Sequence, residues 1–147
     1  MLAVRCKWLK HFLLKMTQKT STSPTRSRDK VLQSLYEIEV GGTSLKEVLK
    51  DQFTKKNYPH YKTLLEGVIE SQEKIDELLE NNMDRALSDL DPIERNILRL
   101  AVYELLNNDL DKPIVINESV RLTKKYGAAE GYKYVNALID KIAKEVF

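Results

Sequence analysis

From Ser27 to the C-terminus, apolar residues recur at three- and four-residue intervals with little interruption, and this spacing constrains the fold more than any other feature. It places one apolar stripe along each of a series of helices. Five Gly and four Pro in 147 residues leave long stretches without helix breakers. Val31, Leu32, Leu35, Tyr36 and Ile38 form the first stripe, closed by Gly41-Gly42. Ser44 and Glu47 have capping-box spacing for a second helix carrying Leu45, Val48, Leu49 and Phe53. Pro59 predicts the first turn of a third helix, with His60 exposed at its start and a stripe running from Tyr61 to Leu79. The segment 84–87 gives no clear signal. Asp91-Pro92-Ile93-Glu94 joins an N-cap, a Pro at the first helical position and an acid near the positive end of the dipole. That helix carries Ile97, Leu98, Ala101, Val102, Leu105 and Leu106 and closes at Asn107-Asn108. Pro113 opens the next, which ends at Gly127, read as a left-handed stop, and Tyr134 to Val146 mark the last. The expected fold is all-α, a compact bundle of roughly six or seven helices.

Charge divides the chain unevenly. Residues 1–30 hold eight basic side chains against one acid, a balance of +7, so the net +2 leaves −5 for residues 31–147. A basic arm on an acidic body is a pattern for polyanion contact, although a solvated leader has the same composition. Residues 1–25 are expected to be a basic, disordered extension and 26–147 the helical domain. Met16 offers an alternative start. No apolar run approaches the roughly 20 residues of a membrane span. Cys6 is the only cysteine, which fits a reducing, cytoplasmic setting. His11 and His60 lack ligand spacing, so no metal is expected.

Signatures of catalysis are missing from the sequence. It contains no GxGxxG, phosphate-cradling loop, GxSxG elbow or HExxH. The acids of Glu73-Lys74-Ile75-Asp76-Glu77 read as a solvated face rather than an acid/base pair. Arg99, inside an apolar helix, is expected to reach an internal or interface acid, with Glu104 near in sequence. No enzyme activity and no cofactor are expected.

Four ordered blocks carry a family resemblance. They are Arg26-Ser-Arg28-Asp-Lys30-Val-Leu-Gln33-Ser-Leu-Tyr36, Asp91-Pro-Ile-Glu94-Arg-Asn-Ile-Leu-Arg99-Leu-Ala-Val-Tyr103-Glu104-Leu105, Lys112-Pro-Ile-Val-Ile-Asn117-Glu118, and Tyr126-Gly127 with Lys133-Tyr134-Val-Asn136-Ala137-Leu-Ile-Asp140-Lys141. Together they span about residues 26–145, and in that order they resemble the NusB family of transcription antitermination proteins. The resemblance implies binding to boxA-containing RNA of ribosomal transcripts, pairing with the ribosomal protein NusE, and a place in an RNA polymerase antitermination complex. Some members of that family also self-associate, so a homodimer is among the states it implies.

The same resemblance implies the site residues. Arg26, Arg28, Lys30, Gln33, Lys133 and Asn136 match RNA-facing positions, and arginine suits phosphate and base stacking. Tyr36, Glu94, Tyr134 and, least securely placed, Glu130 match positions facing the protein partner. Structural alternatives stand beside each. Arg26 and Arg28 can be solvated, and Gln33 can be an ordinary polar helix position. Tyr36 and Tyr134 fit partial burial in the core, Glu94 fits a capping role alone, and Asn136 fits helix packing. Fewer arginines precede the first helix than in many members, and Ala137 stands where Gly is usual. A helical protein–protein adaptor without specific RNA binding is the competing function.

Overall fold

A computed structural model describes residues 24–107 and 109–147. The expectations for Cys6, His11, Met16 and the extension as far as residue 23 lie outside the described residues. Two compact units divide between Glu66 and Gly67. The first holds α1 (Pro24–Glu39), α2 (Leu45–Val48), α3 (Gln52–Asn57) and the opening turns of α4 (Tyr61–Glu70). The second holds the end of α4, α5 (Gln72–Asn82), a 3-10 turn (Leu87–Asp89), α6 (Pro92–Asn107), α7 (Lys112–Tyr126) and α8 (Gly131–Glu145). Every regular element among the described residues is helical, as the apolar spacing predicts.

Among the described residues eight α-helices stand where six or seven were expected, because two stripes are each divided. Ser44 caps α2 by accepting the Glu47 N–H at 3.1 Å, but that helix lasts four residues. Asp51 then starts α3 afresh, accepting the Thr54 N–H at 3.2 Å and the Thr54 hydroxyl at 2.8 Å. These bonds hold its carboxyl below the usual range, Thr54's hydroxyl contributing most. The restart turns Phe53 outward, 64% exposed, so it does not extend the α2 stripe. Farther along, α4 begins at Tyr61 rather than at Pro59. His60, with φ 65°, adopts the left-handed region between them, so Pro59-His60 is a turn and not a first helical turn. Ser71 bends the long stripe between α4 and α5, while the bonds Ser71 N–H to Gly67 O and Ile75 N–H to Ser71 O continue across it.

Helix ends follow the sequence signals in most places. Gly42 takes φ 72° just beyond α1, a conformation that strains an L side chain. Asp91 accepts the Ile93 N–H at 2.6 Å at the start of α6. Gly127 departs from expectation. It is extended (φ −88°, ψ −175°), not left-handed. Glycine is required there for closeness instead, since a Cβ would stand 2.9 Å from the Thr123 carbonyl oxygen.

In the second unit α6 packs against α5, α7 and α8, and α7 packs along α8. Ile97, Leu98 and Val102 on α6 are wholly buried, as are Ile139 and Ile142 on α8. Arg99 also lies inside α6. Its Nε and Nη2 donate to Asp76 at 2.8 and 3.0 Å, a two-pronged tie between α6 and α5. Nη1 also donates to the Asn96 side chain at 3.3 Å. The expected internal acid is therefore Asp76, which α5 turns inward and away from the solvated face predicted for it. None of the described helices is long and apolar enough to cross a membrane.

Candidate nucleic-acid interface

Within the first unit, the candidates all lie on α1. Arg26, Lys30 and Gln33 fall four and three residues apart and so share one face. Arg26 pairs with the buried Asp29 at 3.7 Å. Lys30 extends over Tyr58, its Nζ 5.3 Å from the ring centroid. Arg28 is turned inward, 7% exposed, and has partners of its own. Gln33 donates from Nε2 to Glu37 at 3.2 Å, while its Oε1 is buried without a partner. Tyr36 is buried along the apolar side of the helix. The hydroxyls of Ser34 and Tyr61 bond to each other nearby, and burial pushes the Tyr61 phenol upward.

Within the second unit, Glu94, Glu130 and Tyr134 gather where α8 begins. The Glu94 carboxylate presses on Gly131, so closely that a Cβ there would collide with Oε1. Tyr134, one turn along α8, carries the Arg85 guanidinium over its ring at 4.2 Å. Its hydroxyl is buried, and burial is the main cause pushing the phenol upward, with the Arg85 charge opposing it. Lys133 and Glu130 are both exposed and paired at 2.7 Å. Asn136, one turn beyond Lys133, is exposed, which places its amide at the surface and not in helix packing. Sequence reading missed Arg85. An arginine seven residues before the α6 proline has no periodic signal, since it stands in the connection between α5 and the 3-10 turn.

Burial pushes the Glu94 carboxyl above its ordinary value, Asp91 adds to this, and Arg85 opposes it. A carboxyl raised in the folded state contributes stability that is fully present below its unfolded pKa, near 4.5, and is lost as pH rises through the folded value. Glu94→Gln removes that loss. Urea unfolding at pH 4 and pH 7 is expected to show the variant gaining on the parent as pH rises. An unchanged difference between the two pH values would contradict the assignment.

The family model described as the NusB family matches residues 25–144. The chain belongs to the NusB family. It is 38% identical over 128 residues to the transcription antitermination protein NusB of Thiobacillus denitrificans, covering 82% of this chain and 87% of that one. With the corresponding protein of Methylobacillus flagellatus, identity is 41% over 138 residues, covering 89% of each. Among solved structures, T. maritima NusB superposes with a TM-score of 0.74 at 30% identity, over 85% of this chain and 93% of the other. A crystal structure of antitermination factors NusB and NusE in complex with dsRNA gives 0.70 at 30% identity, over 80% and 93%. The NusB match begins at the first turn of α1 and ends in the last turn of α8, so it includes every candidate residue named above.

Proposed function

We propose that this NusB-family chain is a transcription antitermination factor that binds boxA-containing RNA of ribosomal transcripts together with the ribosomal protein NusE, within an RNA polymerase antitermination complex. It acts by binding alone, without catalysis or cofactor, and works in the cytoplasm. The observation that carries this reading is the family match through α1 and α8, the helices that present Arg26, Lys30, Lys133 and Asn136. Supporting it, a NusB of the same fold has been crystallised with NusE and RNA. Arg26 and Lys30 share a face of α1, where two cations one turn apart suit successive phosphates. Lys133 and Asn136 offer a third cation and an exposed amide. Arg28, being buried, leaves direct phosphate contact to its neighbours. Glu130, exposed, and Tyr134, half-buried, are the candidates for contact with NusE; Tyr36 and Glu94 are buried, as Arg28 is, and do not present themselves for direct contact.

The test is binding of a boxA RNA with and without NusE across a salt series. Arg26→Gln with Lys30→Gln is expected to weaken binding and to flatten the dependence of log K on log salt by about 1.4 for single-stranded RNA, two phosphate contacts being lost. Helical content should not change. Affinity and slope equal to the parent's would remove these residues from the interface. A parent chain that ignores boxA RNA even with NusE present would favour the adaptor reading instead.

A further inference from the structure

We propose that Arg85 is a positioning residue that presets the Tyr134 ring for contact with NusE, an inference that rests on the reading of Tyr134 as a NusE-facing side chain. Tyr134 forms part of the wall of an open cleft of about 350 Å³ between the end of α5 and α8. Ala137 and Lys141 share that wall on α8, and Asn82, Met83 and Asp84 line the cleft from the α5 side. A water molecule takes up about 30 Å³ of liquid, so the cleft has room for a ring that turns inward. Rotation about χ1 carries a phenol between staggered positions, and an unrestrained ring divides its time among them. Docking a partner on it then costs the entropy of fixing one.

The Arg85 guanidinium narrows that choice. It lies 4.2 Å from the centroid of the Tyr134 ring, a cation–π arrangement that favours one placement of the phenol. The segment that carries Arg85 is itself fastened to α6. Arg95 Nη1 donates to the Leu90 carbonyl at 2.8 Å and to the Leu87 carbonyl at 3.5 Å, and both leucines are buried. Arg85 thus stands two residues from an anchored turn, and its half-exposed side chain reaches Tyr134 from there. Charge sets the class of partner. The Asp84 carboxylate stands 4.0 Å from the Arg85 Nε, and Glu94 lies near enough for the arginine to oppose the rise of its carboxyl. On the other side of the cleft Lys141 donates to the Asn82 carbonyl at 3.3 Å. The arginine's charge is therefore balanced by acids of its own unit, which leaves little attraction for a phosphate and suits contact with protein.

The experiment is calorimetric titration of the full chain with NusE, for the parent, Arg85→Ala, Tyr134→Leu and the double variant. Arg85→Ala should weaken binding about two- to fivefold, the scale of an exposed cation–π contact, with helical content unchanged. Arg85→Lys, which keeps a cation for the ring but not the planar face, should recover part of the loss. In the Tyr134→Leu background the change of Arg85 to alanine should have no further effect, because its action runs through the ring. A role in stability alone does not produce that coupling. Where Tyr134→Leu weakens binding, an Arg85→Ala variant that binds as the parent does, or that loses as much with Tyr134→Leu as without it, overturns the proposal and leaves Tyr134 at the NusE contact. Parent-like affinity in Tyr134→Leu removes the ring from the interface and overturns both. Weakened boxA RNA binding by these variants without NusE, alongside unchanged NusE affinity, assigns the ring to RNA and overturns the proposal as well.

Discussion

Arg99→Ala is expected to lower stability by about 3 kcal/mol, near the low end for a broken buried pair because Asp76 keeps some contact with water. The guanidinium is 9% exposed and its carboxylate partner 27%. Removing the arginine leaves an acid half out of water with no cation to offset it. Asp76→Ala should cost at least as much, since it strands the more deeply buried charge. Equilibrium urea unfolding measures both. A paired replacement, Arg99→Met with Asp76→Leu, should recover most of the loss, because apolar side chains avoid the desolvation that the ion pair must overcome. Single variants within about 0.5 kcal/mol of the parent would mean that the fork contributes little to holding α5 on α6.

The second large effect is expected at Ile139. It is wholly buried on α8, and Ile139→Ala should cost about 3 to 4 kcal/mol through lost transfer energy and an unfilled cavity. In a domain of this size that corresponds to a fall in Tm of roughly 10 °C. The adjacent Asp140 is a sharp control. One residue turns the helix by about 100°, which carries the side chain from core to surface. There Asp140 pairs with Lys144 at 3.1 Å, with the lysine 73% exposed. Asp140→Ala should therefore change stability by less than about 1 kcal/mol. Equal losses at the two positions, read by thermal unfolding, would contradict the orientation of α8.

These helices were legible because their signals are local and periodic. The stripes of α6 and α8 need only the sequence spacing, and Asp91-Pro92 marks its own helix start. Where expectation failed, the deciding contact was of another kind. Asp51 restarts a helix because its carboxylate outcompetes continuation from α2, and a stripe count does not register that competition. His60 in the left-handed region shifts a helix start by two residues although Pro59 is well suited to one. Gly127 proved necessary for a close carbonyl rather than for positive φ, two demands that the letter G does not separate. At the candidate interface, residue types on α1 and α8 could be named from family blocks. The inward turn of Arg28, the stacking of Arg85 on Tyr134 and the unmet Gln33 oxygen depend on contacts between elements, which no single segment encodes.

Glu94 and Gly131 lie 37 positions apart in the chain yet occupy one volume. Their fates under mutation are joined. A side chain gained at 131 displaces the flexible end of Glu94, so a substitution at one position is felt at the other, as a carboxylate swung away from the bare backbone it now rests on.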